Sequence, residues 1–174
     1  MKKLITALTM LILSSLLFAT TIGTGAVTMG GTMKDDAFLL GLGGTIVNAT
    51  DYNKYFGMGI GAHLNISWML TEHDTDGLFA AVVGPGLDIR PIKDLSMDIV
   101  IGPGMVAESG SLGIGFGLDF SVSYFFNGSF GITGGLASYH QFYIDDKDRD
   151  TDYSLAGIGY LGVAWRRRAD DMDK

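Results

Sequence analysis

The sequence predicts an all-β chain, an antiparallel up-and-down transmembrane β-barrel of eight strands behind an N-terminal signal peptide. Three observations predict it. Glycine supplies 26 of the 174 residues, about twice its average usage. Hydrophobic residues make up 47% and charged residues only 18%, where a soluble globule carries about 25% charge. Beyond the N-terminus the apolar residues fall into many short segments of period two, not into one block of about 20 residues that a membrane helix needs.

The first element is an export signal. Lys2 and Lys3 form a positive n-region, and Leu4 to Phe18 form an apolar h-region too short to read as a spanning helix. Ala19 and Ala26 are both small-residue cleavage points. Cleavage near Ala19 divides the chain into a signal peptide (1–19), a barrel (20–166) and a charged tail (167–174). Cleavage after Ala26 is the alternative. The net charge of −7 drops by two, to −9, once Lys2 and Lys3 leave. An acidic chain repels phosphate backbones, so no nucleic-acid partner is expected. With no cysteine, disulfide frameworks and thiolate metal sites are excluded.

The strands follow between regularly spaced charge clusters. They are expected at 22–33, 37–48, 55–70, 78–90, 95–107, 112–126, 130–143 and 153–166. In 55–70, Phe56, Met58, Ile60, Ala62, Leu64, Ile66, Trp68 and Leu70 alternate with Gly57, Gly59, Gly61, His63, Asn65 and Ser67. In 112–126, Leu112 through Phe126 alternate with Gly113, Gly115, Gly117, Asp119, Ser121 and Ser123. A helix cannot use such a pattern, and each glycine costs it about 1 kcal/mol against alanine. Segment 22–33 alternates weakly. It counts as the eighth strand because bacterial single-chain barrels have even strand numbers.

Charge assigns the faces. Apart from Arg166 at the last position, the charges inside the expected strands are Asp88, Arg90, Asp98 and Asp119, and each lies on the glycine and serine face. A charge turned to lipid near the midplane costs roughly 2–4 kcal/mol, so this face points inward. Large residues outside and small ones inside suit a narrow membrane barrel. The turn Asn127-Gly128-Ser129, with glycine at a left-handed position, and the turn Pro91–Asp94 fall on the side of the termini, which is periplasmic. The longer acidic loops Glu72–Gly77 and Asp145–Asp152 fall on the opposite, outer side. Tyr55, Trp68, Tyr124, Tyr153 and Trp165 stand near strand ends, where aromatic girdles form.

These alternating glycine-rich strands, short turns and aromatic ends resemble the small eight-stranded outer-membrane barrels, among them the OmpA transmembrane domain and the OmpX, OmpW and opacity-protein groups. The likeness covers the whole mature chain and is architectural, with no diagnostic motif. Leu161, Val163 and Trp165 match the alternating aromatic end that the barrel-assembly machinery reads in such proteins, but Arg166 to Lys174 follow and depart from the pattern. The resemblance implies a monomer in the bacterial outer membrane, with membrane lipid and, during insertion, that machinery as partners.

The candidate site is a polar lumen of His63, Asn65, Ser67, Asp88, Arg90, Asp98, Asp119, Ser121 and Ser123. It reads as a hydrogen-bonded plug in which Arg90 compensates one or two carboxylates, or as a narrow conduit. Three aspartates against one arginine leave a negative excess that a proton, water or a cation must relieve. Asp88 and Asp98 flank one short turn and are expected to be neighbours. Ser138 and His140 share a face, as in a serine–histidine hydrolase, with no carboxylate on the same strand to orient the histidine. Asp146–Asp152 has alternating carboxylates like a calcium loop, but it lacks the glycine and the closing glutamate. No cofactor and no metal are expected. The leading expectation is therefore a non-enzymatic, structural, surface-exposed barrel with room for a narrow pore. A soluble periplasmic barrel for lipid or apolar ligands comes second, and a lipid-modifying hydrolase third.

Overall fold

The computed structural model describes residues 20–33, 37–72, 75–108, 111–144 and 151–168. The expected signal segment 1–19, the acidic run 145–150 and the last six residues lie outside them. Eight strands follow in order: β1 (Thr20–Thr32), β2 (Ala37–Asn53), β3 (Phe56–Leu70), β4 (Thr75–Ile92), β5 (Leu95–Glu108), β6 (Ser111–Phe125), β7 (Phe130–Ile144) and β8 (Thr151–Arg167). Each pairs antiparallel with the next, and β1 pairs with β8 to close the barrel. Closure leaves no open edge, the condition for a sheet to cross a membrane.

The two faces differ in size and polarity. Outward positions carry Leu42, Ile60, Ile66, Val83, Ile114, Leu136 and Leu161, all exposed. Inward positions carry glycine, alanine, serine, threonine, valine and the buried charges. A water-soluble barrel would have these faces reversed. The continuous apolar exterior therefore removes the soluble periplasmic reading, because water would meet large side chains around the whole circumference.

Several strands outrun their expected limits. β2 extends to Asn53, held by pairing of Asp51 with Gly57 and of Asn53 with Phe56. This carries Asp51 out of a supposed turn and onto the barrel wall. β4 begins at Thr75 and absorbs Asp76 and Gly77 through pairing with Met69 and Trp68. In both places the ladder continues past the end of the apolar pattern, because backbone pairing does not depend on side-chain polarity. The turn after β6 does use Gly128 with φ 80°. Asn127 Oδ1 fastens it by accepting from the amides of Ser129 (3.1 Å) and Phe130 (2.8 Å), as turn asparagines do.

Besides the register shifts after Asp51 and Ile89, two in-register interruptions mark the described wall. Between β4 and β5 the pairing stops after Val82–Gly104 and resumes at Gly86–Val100 in the same register. The repeated Gly-Pro-Gly segments 84–86 and 102–104 face each other across this gap. Proline has no amide hydrogen to give the ladder. A Cβ on Gly84 would strike the Ile101 carbonyl, and one on Gly102 the Val83 carbonyl, so only glycine permits the approach. Replacing Pro85 and Pro103 together with valine restores two donors on a lipid-facing surface. Amide exchange around Gly84 and Gly102 is expected to slow at least severalfold, and unchanged exchange would show that the prolines do not cause the gap. The second interruption, between β1 and β2 at Thr24–Gly25 and Gly44–Thr45, is bridged by a side chain: Thr24 Oγ1 accepts from the Thr45 amide at 2.8 Å.

Candidate functional site

All nine residues of the polar set point inward and are buried. The fold does not gather them into one network. It divides them along the barrel axis.

Near mid-barrel, His63 on β3 meets Asp119 on β6, with Nδ1 3.0 Å from Oδ1. Thr45 on β2 donates to Asp119 Oδ2 at 2.9 Å and lies 2.9 Å from His63 Nδ1. Tyr160 on β8 donates to Asp119 Oδ1 at 2.8 Å, and its ring tilts over His63 at 5.4 Å. Four strands thus converge on one carboxylate. Room for Tyr160 comes from Gly135, where a Cβ would collide with the phenol ring. Thr45 owes its position to the Thr24 bridge in the β1–β2 gap.

At the mouth on the side of the termini, Arg90 on β4 holds two carboxylates. Its Nη2 and Nη1 fork onto Asp51 at 2.5 and 3.2 Å, and Nε lies 3.0 Å from Asp88 Oδ2. Ser96 donates to Asp88 Oδ1, and Thr20 donates to Asp51 at 2.9 Å. Gly57 leaves space for the fork, since a Cβ there would press on both Asp51 and Arg90. A planar guanidinium suits this double duty.

Asp98 stands apart. It pairs in register with Asp88 on β4 and Ser121 on β6. Its carboxylate oxygens are buried and have no hydrogen-bond partner among the described residues. Asn65 and Ser67 bond each other on the loop side, and Ser123 donates to Thr133 on the wall at 3.0 Å.

Sequence reading missed Thr45, Asp51, Ser96, Tyr160 and Arg166 as lumen groups. Arg166 is 3% exposed, although it begins a run that reads as a solvated tail. Its inward parity with Ala156, Ile158 and Ala164 was the available signal. Tyr160 was obscured because β8 mixes large and small residues on both faces.

Apolar layers cap both charged clusters. Leu39, Met69, Leu78, Val82, Val106 and Tyr139 are among those filling the lumen from mid-barrel toward the loop side, and Ile22, Phe125 and Ala164 pack at the other mouth. An eight-stranded barrel has an interior just wide enough for such filling. Among the described residues no group of three metal-ligating side chains converges.

Ser138 and His140 lie outside the lumen, on the membrane-facing side of β7. His140 Nδ1 is 2.7 Å from the Tyr153 hydroxyl. No hydrogen bond joins the histidine to Ser138.

No family model and no curated protein matches the sequence. Solved structures do. The attachment invasion locus protein Ail of Yersinia pestis aligns at 12% identity, over 86% of this chain and 99% of that one, with a TM-score of 0.58. The outer-membrane enzyme PagL aligns at 13% identity, over 81% and 97%, with a TM-score of 0.53. Neisserial surface protein A aligns at 13% identity, over 84% and 96%, with a TM-score of 0.50. This chain has the eight-stranded fold of small outer-membrane β-barrels. At these identities the likeness is one of fold alone. The solved structures of this architecture include an outer-membrane enzyme and a surface protein, so function has to be argued from this chain's own residues.

Proposed function

We propose that this outer-membrane barrel is non-enzymatic and structural, that its lumen is plugged, and that its working surface is the outer, loop-bearing rim. The observation that carries the reading is the filled interior. Two hydrogen-bonded charge clusters are sandwiched between apolar layers that reach from Leu39 and Met69 to Phe125. A narrow pore would have to pass between these side chains. In this reading residues 1–19 are the export signal, membrane lipid and the assembly machinery are the partners, and the barrel acts as a monomer.

Planar-bilayer recordings of the refolded chain test the plug. Silence across voltages is expected, and steady single-channel steps would restore the pore. The hydrolase alternative rests on Ser138 and His140, and PagL shows that the fold can carry an enzyme. The histidine is engaged with a tyrosine, and among the described residues no acid orients it, an arrangement short of an activated nucleophile. Cells producing His140→Ala are expected to show the same membrane-lipid composition as those producing the native chain. A changed acylation pattern would reverse the assignment.

A further inference from the structure

The mouth on the side of the termini carries positive groups, Arg166 and Arg168, that form no ion pair among the described residues. Arg166 and Arg168 both donate from Nη2 to the carbonyl of Lys93, each at 3.1 Å. Two guanidinium groups are therefore fixed side by side. Arg166 is further immobilised by its Nε bond to the Gly128 carbonyl at 3.0 Å and by the Phe125 ring, 4.2 Å from its guanidinium carbon. Arg90 already serves Asp51 and Asp88. Among the described residues no carboxylate stands within ion-pairing distance of Arg166 or Arg168. Arg166 Nη1 and Arg168 Nε are buried donors with no acceptor among the described residues.

Like charges held this close repel, and buried donors are normally satisfied. An anion with several oxygens would answer both needs at once. Space exists on either side of Arg168. One cavity of about 690 Å³ is lined by Lys54, Tyr55, Arg90, Lys93 and Arg168, with Asp51 in its wall. Another of about 430 Å³ is lined by Lys93, Gly128 and Arg168, with Asp94 in its wall. Exposed Tyr55, Tyr124, Phe126 and Trp165 ring the same end, which sets it at headgroup depth.

We propose that Arg168 and Lys93, with the buried guanidinium of Arg166 behind them, form a phosphate-binding site at this mouth, and that its ligand is the headgroup of an anionic phospholipid. The proposal rests on the membrane-spanning reading above. The shared chemistry is a phosphate oxyanion, and the girdle position selects the lipid as its source over free phosphate.

The test uses the full chain refolded into nanodiscs of phosphatidylcholine with a minor share of phosphatidylglycerol, and native mass spectrometry of the lipids it retains. Preferential retention of phosphatidylglycerol is expected. Arg168→Gln should lower that preference about tenfold, the equivalent of one charge-assisted hydrogen bond. Arg167→Gln, on the opposite face of β8, should leave it nearly unchanged. Equal losses in the two variants would mean a diffuse rim charge and would overturn the site. A second arm adds inorganic phosphate to the chain in zwitterionic micelles. A rise in melting temperature that Arg168→Gln abolishes, without any lipid preference in nanodiscs, would overturn the lipid source. Retention that appears only after Asp170→Asn and Asp171→Asn would assign the arginines to the chain's own tail and overturn the proposal. A chain that fails to float with vesicles would instead overturn the membrane reading itself.

Discussion

Arg90→Met is expected to destabilise the folded barrel by about 3–5 kcal/mol, the range for removing one partner of a buried ion pair. The methionine preserves most of the side-chain volume, so the loss reports charge and not a cavity. Without the guanidinium, Asp88 keeps only its Ser96 bond, Asp51 keeps only Thr20, and Asp98 still lies across the strand from Asp88. Three carboxylates would then share one end of a narrow lumen. Arg90→Lys should recover part of the loss, since an ammonium cannot fork onto Asp51 and also reach Asp88. Adding Asp88→Asn to Arg90→Met should recover more, because it removes a charge that has lost its counterion. Urea unfolding of the barrel in lipid vesicles measures all three. A change under 1 kcal/mol for Arg90→Met would show that water already solvates this mouth.

Asp119→Ala is expected to destabilise by about 3 kcal/mol or more. The carboxylate is the only group that touches His63, Thr45 and Tyr160 together. Removing it takes the acceptor from two buried hydroxyls and leaves His63, Thr45 and Tyr160 only their contacts with one another, and each group left unsatisfied costs about 1–3 kcal/mol. Asp119→Asn keeps one acceptor oxygen and should lose less. A double-mutant cycle of Asp119→Asn with Tyr160→Phe should give a coupling of about 1 kcal/mol or more if the network acts as a unit. Strict additivity would mean that the four groups are merely adjacent.

Sequence and structure divide the information unevenly. Strands β3 and β6 could be read almost to the residue, because glycine alternates strictly with large apolar residues there and a period of two admits one face assignment. The inward direction of Asp88, Arg90, Asp98 and Asp119 was equally legible, since the opposite face would put charge into lipid. The partners of those charges were not. Asp51 read as a turn residue because its neighbours are polar, yet it completes the Arg90 fork. Thr45 and Tyr160 carry no signal of their own. They become site residues only because barrel closure brings β2 and β8 to the level of Asp119. Arg166 looked like the start of a solvated tail, and it is an interior residue pinned beneath Phe125.

What the sequence determined by itself was the fold class and the inward face of the charged and glycine-rich positions, while the count of eight strands needed the even-number rule as well. Period, glycine content and the cost of a charge in lipid are local properties that any single strand displays. What only the tertiary structure decided was which buried charge meets which, and that among the described residues Asp98 meets none and two arginines share one carbonyl without a counterion. Those pairings depend on register and stagger around a closed ring. A one-residue slip changes every partner, and no strand carries that information alone.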